Sequence, residues 1–341
     1  MNNDPLLVEV KDIKTYFFLD EGTIRALDGI SFDIYRGKVL GVVGESGCGK
    51  SVTARSIMRI VPPPGQITEG QVLYHREVSN GGGQATEVVD LTALGGQSRE
   101  MRGIRGSEIS MIFQEPMTSL SPVHTIGNQI IETITLHQNL SKQAARELAI
   151  ETLNHVGMPQ PSRTIDRYPH ELSGGMRQRA MIAMALTCNP SLLIADEPTT
   201  ALDVTTSAQI LTLMRRLQDE FGMAIMFITH DLGVIAQMTE RVVVMYLGKI
   251  VEEADVDTLF HNPKHPYTIA LLESIPRLGQ KTRERKRLAS IKGSVPDPYS
   301  IPKGCPYHTR CSEFMPGVCD QEDPPLIQFE EGHSARCHLY V

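Results

Sequence analysis

The sequence predicts an α/β fold followed by a small cysteine-rich extension, and three observations carry that reading. Gly44-Glu45-Ser46-Gly47-Cys48-Gly49-Lys50-Ser51 fits G-x-x-x-x-G-K-[ST] and stands between an apolar run, Lys38–Val43, and a helix-forming run, Val52–Ile60. Apolar runs of strand length at Glu108–Phe113, Leu192–Ala195 and Met223–Thr229 are interleaved with segments of helical periodicity. Cys305, Cys311, Cys319 and Cys337 crowd the end of the chain, beyond a charged stretch at 279–290.

A chain of 341 residues has room for one large domain with appendages, or for two domains. Lys and Arg number 33 against 40 Asp and Glu, a net charge of −7, and the one basic block lies near 281–287. That balance argues against general nucleic-acid binding. The opening Met1-Asn2-Asn3-Asp4-Pro5 has neither the basic nor the apolar region of a signal peptide. No apolar run approaches the roughly 20 residues of a membrane span, so a soluble cytoplasmic protein is expected. Of the 6 cysteines, Cys48 and Cys188 stand alone. The crowding of the others in a cytosolic chain suggests metal binding before disulfides.

In chain order, Leu6–Val10, Ile30–Tyr35 and Val39–Val43 are separated by turns at Asp20-Glu21-Gly22 and Arg36-Gly37, predicting an antiparallel β-layer that feeds the glycine-rich loop. Pro62-Pro63-Pro64-Gly65 stops the following helix. Residues 79–86 predict a flexible loop tip without chemistry. Glu108–Phe113 predicts a strand ending at Gln114. A helical insertion covers about 116–187. Within it Ile126–Leu136 and Gln143–Val156 have helical period, with Ala145, Leu148, Thr152 and Val156 on one stripe, Ser141 as N-cap and Gly157 at the C′ position. Val204–Phe221 predicts a helix with Val204, Ala208, Leu211, Met214, Leu217 and Phe221 inward, closed by Gly222. Val242–Tyr246 and Lys249–Glu253 predict a hairpin about Leu247-Gly248, and 279–290 a solvated linker.

The loop 44–51 has the chemistry of a phosphate cradle. Its glycines allow a tight bend that brings backbone N–H groups to a polyphosphate, at the positive end of a new helix. Lys50 would reach the β- and γ-phosphates and the Ser51 hydroxyl would bind Mg²⁺. Leu192–Ala195 leads into Asp196 and Glu197. Asp196 suits the Mg²⁺ shell, and Glu197, one residue on, suits polarisation of an attacking water. In Leu172-Ser173-Gly174-Gly175-Met176, Ser173 can cap a helix while two glycines expose N–H groups to an anion. Gln114 ends one strand and could contact Mg²⁺ or water; His230 follows another and could hydrogen-bond a γ-phosphate. Each of these alone would be read as structural.

Together and in this order, these residues resemble the ATP-binding subunits of ABC transporters from about residue 6 to 260. The resemblance implies an ABC-type P-loop nucleotide-binding domain over 1–260, with an antiparallel β-layer and a helical subdomain at about 116–187, and a C-terminal extension over 261–341. It implies ATP and Mg²⁺ as cofactors and ATP hydrolysis coupled to transport. Gln114, Glu197 and His230 take catalytic roles. Phe17, Gly44, Ser46, Gly47, Cys48, Gly49, Lys50, Ser51, Val52, Gln114 and Asp196 take the nucleotide, Phe17 as the aromatic that stacks on adenine, with Tyr16 and Phe18 as neighbours. Mg²⁺ falls to Ser51, Gln114 and Asp196. In this family two such domains close head to tail, so Ser173, Gly174 and Gly175 act on the partner's nucleotide, with Ala201-Leu202-Asp203 as the D-loop. Met176 stands where many members have Gln.

A finer resemblance, to oligopeptide/dipeptide importer ATPases, rests on Gln114-Glu115-Pro116-Met117-Thr118-Ser119-Leu120-Ser121-Pro122, on His265-Pro266-Tyr267, and on Lys303-Gly304-Cys305-Pro306-Tyr307 through Arg310-Cys311, Cys319 and Cys337. Nickel and glutathione importer ATPases share these features. The implied partners are two transmembrane permease subunits, a second ABC ATPase that is a paralogue, and a periplasmic or extracellular solute-binding protein, with no nucleic acid. The implied place is the cytoplasmic face of the inner membrane, as a peripheral subunit. A soluble, non-transport ABC ATPase is the competing reading. Four thiolates suit tetrahedral zinc or an iron–sulfur cluster, and their spacing does not choose. The resemblance favours [4Fe–4S]. A loop- and proline-rich tail has little core of its own, so the expected role is structural, and its distance in sequence from the P-loop gives it no part in hydrolysis; reduced thiols are the bland reading. His308, His333 and His338 are spare ligands expected at the surface.

Overall fold

The computed structural model describes residues 4–80, 83–114, 119–200, 202–275 and 291–341. Its strands are β1 (Leu6–Leu19), β2 (Gly22–Tyr35), β3 (Val39–Val43), β4 (Gly65–Asn80), β5 (Gly83–Asp90), β6 (Ile109–Ile112), β7 (Leu192–Asp196), β8 (Ala224–Ile228), β9 (Arg241–Tyr246), β10 (Lys249–Asp255), β11 (Leu326–Glu330) and β12 (His333–Arg336). The chain divides into two compact units. One comprises Met1–Val8, Ile34–Val39 and Tyr74–Ile228; the other comprises Glu9–Asp33, Leu40–Leu73 and Thr229–Val341.

In the first unit β6, β7 and β8 run parallel, with Ile112 opposite Ala195 and Asp196 opposite Ile228. β7 and β8 are buried along their whole length, in keeping with the apolar runs Leu192–Ala195 and Ala224–Ile228. Parallel neighbours finish at the same edge, so the chain leaving β6 and the chain leaving β7 emerge side by side. β4 runs on to Asn80 and β5 begins at Gly83, so the loop expected at 79–86 is mostly strand, and 81–82 lie outside the described residues.

The helical insertion is present as Ile126–His137, Lys142–His155 and Gly174–Leu186. The Ser141 hydroxyl accepts from the Ala144 N–H, a cap worth about 1 kcal/mol, and Gly157 leaves the helix at φ 70. Ala145, Ala149, Thr152 and Leu153 form its buried stripe. The helix Val204–Phe221 is capped by Asp203 and closed by Gly222, but its inward stripe starts later than the periodicity predicts. Ile210, Leu211, Leu213, Met214 and Leu217 are buried, while Val204 is 87% exposed. The first turns of this helix stand clear of the core, so the apolar periodicity there has no layer to face. Residues 115–118, Ala201 and the 279–290 stretch lie outside the described residues.

In the second unit β3 is parallel to β9, and β9 is antiparallel to β10 about Leu247-Gly248, both at positive φ as a two-residue hairpin turn requires. β10 then pairs antiparallel with β12, Glu252 opposite Ala335, and β12 with β11. The extension therefore continues this sheet by main-chain hydrogen bonds. Its side chains share the unit's core as well: Val43, Val244, Tyr246, Leu259, Tyr267, Cys305, Tyr307 and Cys319 form one buried cluster. Each large apolar side chain buried there contributes roughly 1.5–3 kcal/mol. Glu252, fully buried, accepts from the Lys264 and His265 backbone N–H groups and meets His333 Nε2 at 3.0 Å, so two parts of the extension lock onto β10. No helix among the described residues is long and apolar enough to cross a membrane.

Candidate nucleotide site

The loop 44–51 links the end of β3 to the helix Lys50–Ile57. Gly44, at φ 154, lies where a Cβ would come 2.3 Å from the Met245 carbonyl oxygen; Gly49, at φ 106, lies where one would come 2.6 Å from that of Ala26. Both need glycine on conformation and space. Gly49 is also the helix N-cap, and it brings no capping side chain to the first-turn N–H groups. Lys50 is buried, its Nζ donating to the Gly44 carbonyl at 2.7 Å and the Glu45 carbonyl at 3.1 Å. The Cys48 thiol is buried and pushed above its ordinary pKa, chiefly by burial, so it stays a neutral thiol at neutral pH.

The loop has further neighbours from the extension. Arg310 grips the Glu45 carboxylate with both arms of its guanidinium, Nη1 to Oε2 at 2.5 Å and Nη2 to Oε1 at 3.0 Å. Its side chain is 3% exposed. Tyr246 Oη lies 3.3 Å from Nη1, and Nε donates to the Lys292 carbonyl. The Glu45 backbone N–H donates to Tyr267 Oη at 2.8 Å. The sequence gives Arg310, Tyr246 and Tyr267 no place at the nucleotide site. The visible signals were the His265-Pro266-Tyr267 and Arg310-Cys311 motifs, but no local pattern links positions 265 residues apart.

In the first unit, Gln114 Nε2 donates to Glu197 Oε2 at 3.1 Å, and Thr200 Oγ1 donates to the same oxygen at 2.9 Å. Parallel pairing of β6 with β7 delivers both residues to one edge. Glu197 has φ 46, a left-handed conformation costly for a residue with a long side chain, and its N–H donates to the Ile228 carbonyl. Asp196, at the end of β7, is buried. Ser173 accepts from the Met176 N–H and caps the 13-residue helix Gly174–Leu186. Ser173 and Gly174 are exposed, so this helix start faces outward.

The P-loop, Val52, Phe17 and His230 thus belong to one unit, while Gln114, Ser173, Gly174, Gly175, Asp196 and Glu197 belong to the other. His230 is exposed at the end of β8's onward chain, ahead of the Asp231-capped helix Leu232–Met238. Strand alternation separates the aromatic trio. The Phe17 ring packs beside Gly65, Tyr16 Oη donates to Asp28 at 2.7 Å, and Phe18 is 46% exposed.

All six cysteines are free thiols. Burial, and then the neighbouring thiols, push Cys305 up to about 12 and Cys311 up to about 11, so the four C-terminal cysteines lie within electrostatic range of one another. Among the described residues, however, no group of three or more His, Cys, Asp or Glu side chains converges as a metal site. His333 is buried against Glu252 rather than at the surface, and His308 and His338 are engaged by the carbonyls of Cys305 and Glu322.

The family model described as ABC transporter matches residues 27–200, and that described as the oligopeptide/dipeptide transporter C-terminal region matches residues 251–319. The chain is 50% identical to a probable peptide ABC transporter ATP-binding protein, y4tR, of Sinorhizobium fredii, over 97% of this chain and 94% of that one. It is 48% identical to the oligopeptide transport ATP-binding protein AppD of Bacillus subtilis, over 98% and 97%. Among solved structures, the dimeric post-hydrolysis state of the ATP-binding cassette MJ0796 bound to ADP and Pi superposes with a TM-score of 0.62 at 28% identity, covering 73% of this chain and 99% of that one. The chain belongs to the ABC transporter family, as an ATP-hydrolysing subunit that carries the oligopeptide/dipeptide transporter C-terminal region.

Proposed function

We propose that this ATPase powers the uptake of di- or oligopeptides through separate permease subunits. The match at 251–319 and the names of the relatives support peptide as the cargo. Import of nickel or glutathione by the same importer class is the second reading. The observation that carries hydrolysis is the hydrogen bond between Gln114 and Glu197 at the edge of β6 and β7. Glu197 is the group that polarises the attacking water, Gln114 orients it, and His230 contacts the γ-phosphate. Lys50 and the loop N–H groups take the phosphates. Ser51, Gln114 and Asp196 would hold magnesium, which supplies charge neutralisation; this assignment rests on the resemblance. Ser173, Gly174 and Gly175 serve the nucleotide of a second ATPase subunit, a paralogue. The outward-facing start of the helix Gly174–Leu186 supports that role.

The remaining partners in this reading are two permease subunits and a solute-binding protein outside the membrane, with this chain peripheral on the cytoplasmic face. The C-terminal thiols are candidates for a structural [4Fe–4S] cluster or zinc. Their donor type and mutual proximity support the assignment, which requires the thiols to close in further than they do here. Cargo is tested by replacing the chromosomal gene with its Lys50→Ala form and following uptake of a labelled tripeptide, nickel and glutathione by intact cells. Loss of tripeptide uptake alone supports the proposal. Loss of nickel or glutathione uptake with normal tripeptide entry would replace the cargo.

A further inference from the structure

The P-loop of this chain contains an acid. Glu45 sits one residue inside a loop built to receive a polyphosphate, where an unpaired carboxylate repels its ligand. At a separation of roughly 10 Å and an effective dielectric near 20, one such charge weakens binding by roughly tenfold or more for each net negative charge of the ligand. The structure supplies a dedicated partner for it from far along the chain. Arg310 meets both carboxylate oxygens, at 2.5 and 3.0 Å, from a nearly inaccessible position beneath Tyr246. The guanidinium lies 5.9 Å from the Tyr246 ring centre. Planar two-armed pairing of this kind suits Arg and not Lys. Tyr267, buried and packed on Tyr246 and Tyr307, holds the same residue by its backbone. Side chain and main chain of Glu45 are thus fixed by two motifs of the extension.

We propose that Arg310 is a positioning residue for ATP binding: it cancels the Glu45 charge and, with Tyr267, fixes the shape of the P-loop. The proposal rests on the reading of residues 44–51 as the ATP-binding loop. A loop held in shape before binding spends less of its binding free energy on ordering. The turn that carries Arg310 also carries Cys305 and Cys311, with the His308 N–H donating to the Cys305 carbonyl and the Cys311 N–H to that of His308. The cysteine-rich extension therefore takes part in the nucleotide site, although sequence distance assigned it no such role.

The test is the affinity of the purified full-length chain for Mg·ATP by titration calorimetry, with ATPase kinetics in the assembled transporter. Arg310→Ala should raise the Kd about tenfold and the KM similarly, leaving kcat within about twofold. Arg310→Lys, which restores charge without the fork, should fall between. Adding Glu45→Gln to Arg310→Ala should return the Kd to within about threefold of wild type, because the uncancelled charge is gone. A merely structural role makes the double variant as weak as Arg310→Ala, or weaker. That result, or wild-type affinity in Arg310→Ala, overturns the proposal. If Arg310→Ala does not fold, Arg310→Lys with and without Glu45→Gln decides by the same comparison. Lys50→Ala serves as control: wild-type affinity there removes the P-loop reading itself, a different failure.

Discussion

Gln114 and Glu197, 83 positions apart, share a hydrogen bond of 3.1 Å at the common edge of two parallel strands. The pairing of Ile112 with Ala195 sets that geometry, since each residue lies just beyond the last paired position of its strand. Glu197 accepts from Thr200 on the same oxygen and keeps its left-handed backbone, so its carboxylate has a fixed address. Gln114→Ala should lower ATP turnover at saturating ATP by about tenfold or more while ATP affinity changes by less than about threefold. Unchanged kcat in steady-state assays of the assembled transporter would remove Gln114 from the catalytic group.

The aromatic trio gives a second expectation. Phe17 and Phe18 point to opposite faces of β1, and Phe17 is the residue assigned to adenine. Phe17→Ala should weaken ATP binding by about tenfold, with much less effect on binding of inorganic triphosphate. Phe18→Ala should leave ATP affinity near wild type. The opposite pattern in the same titrations would move the base-stacking role to Phe18.

The extension should make stability fall in acid. His265 is fully buried, and burial lowers its pKa from the ordinary 6.5 to about 3. Its Nδ1 accepts the Tyr267 N–H at 3.0 Å, which a protonated nitrogen cannot do. The unfolded chain takes up this proton near its ordinary pKa and the folded chain does not. Stability from this group is therefore complete above about pH 6.5 and declines toward pH 3, by about 2 kcal/mol at about pH 5. His265→Asn, whose side-chain oxygen can accept the same N–H, should flatten that decline in urea titrations at both pH values. An unchanged slope would assign the acid loss to other groups.

The cysteine cluster makes a compositional prediction. Protein purified without oxygen should contain iron and sulfide in stoichiometric amounts and show a visible absorption that Cys337→Ser removes. Stoichiometric zinc without iron would put a zinc site in place of the cluster. Absence of any metal would leave Cys305 and Cys319 as thiols in the core that also holds Tyr267 and Tyr307, with Cys311 packed against it and Cys337 buried elsewhere.

Local signals in the sequence were read well because their physics is local. The G-x-x-x-x-G-K-S loop, the Ser141 cap, and Gly157 and Gly222 in left-handed backbone are each settled by a few neighbouring residues. Exposure is not: Val204 and Ala208 fit an apolar stripe, but the part of the helix that meets the core begins at Ile210. Nor does the sequence show how the extension is held. Its attachment is made by β12, only 4 residues long, and by the buried Glu252, neither of which has a periodicity to detect. The Glu45–Arg310 pair is the extreme case, with chemistry split between the two ends of the chain.

The most direct measurement compares Lys50→Ala with Glu197→Gln for nucleotide affinity and ATP turnover in the assembled transporter. Lys50→Ala is expected to lose tight ATP binding. Glu197→Gln is expected to bind ATP within about threefold of wild type while turnover falls by about a hundredfold or more. Wild-type turnover in Glu197→Gln, or tight ATP binding in Lys50→Ala, would contradict the division of the chain into a phosphate-holding loop and a water-activating carboxylate.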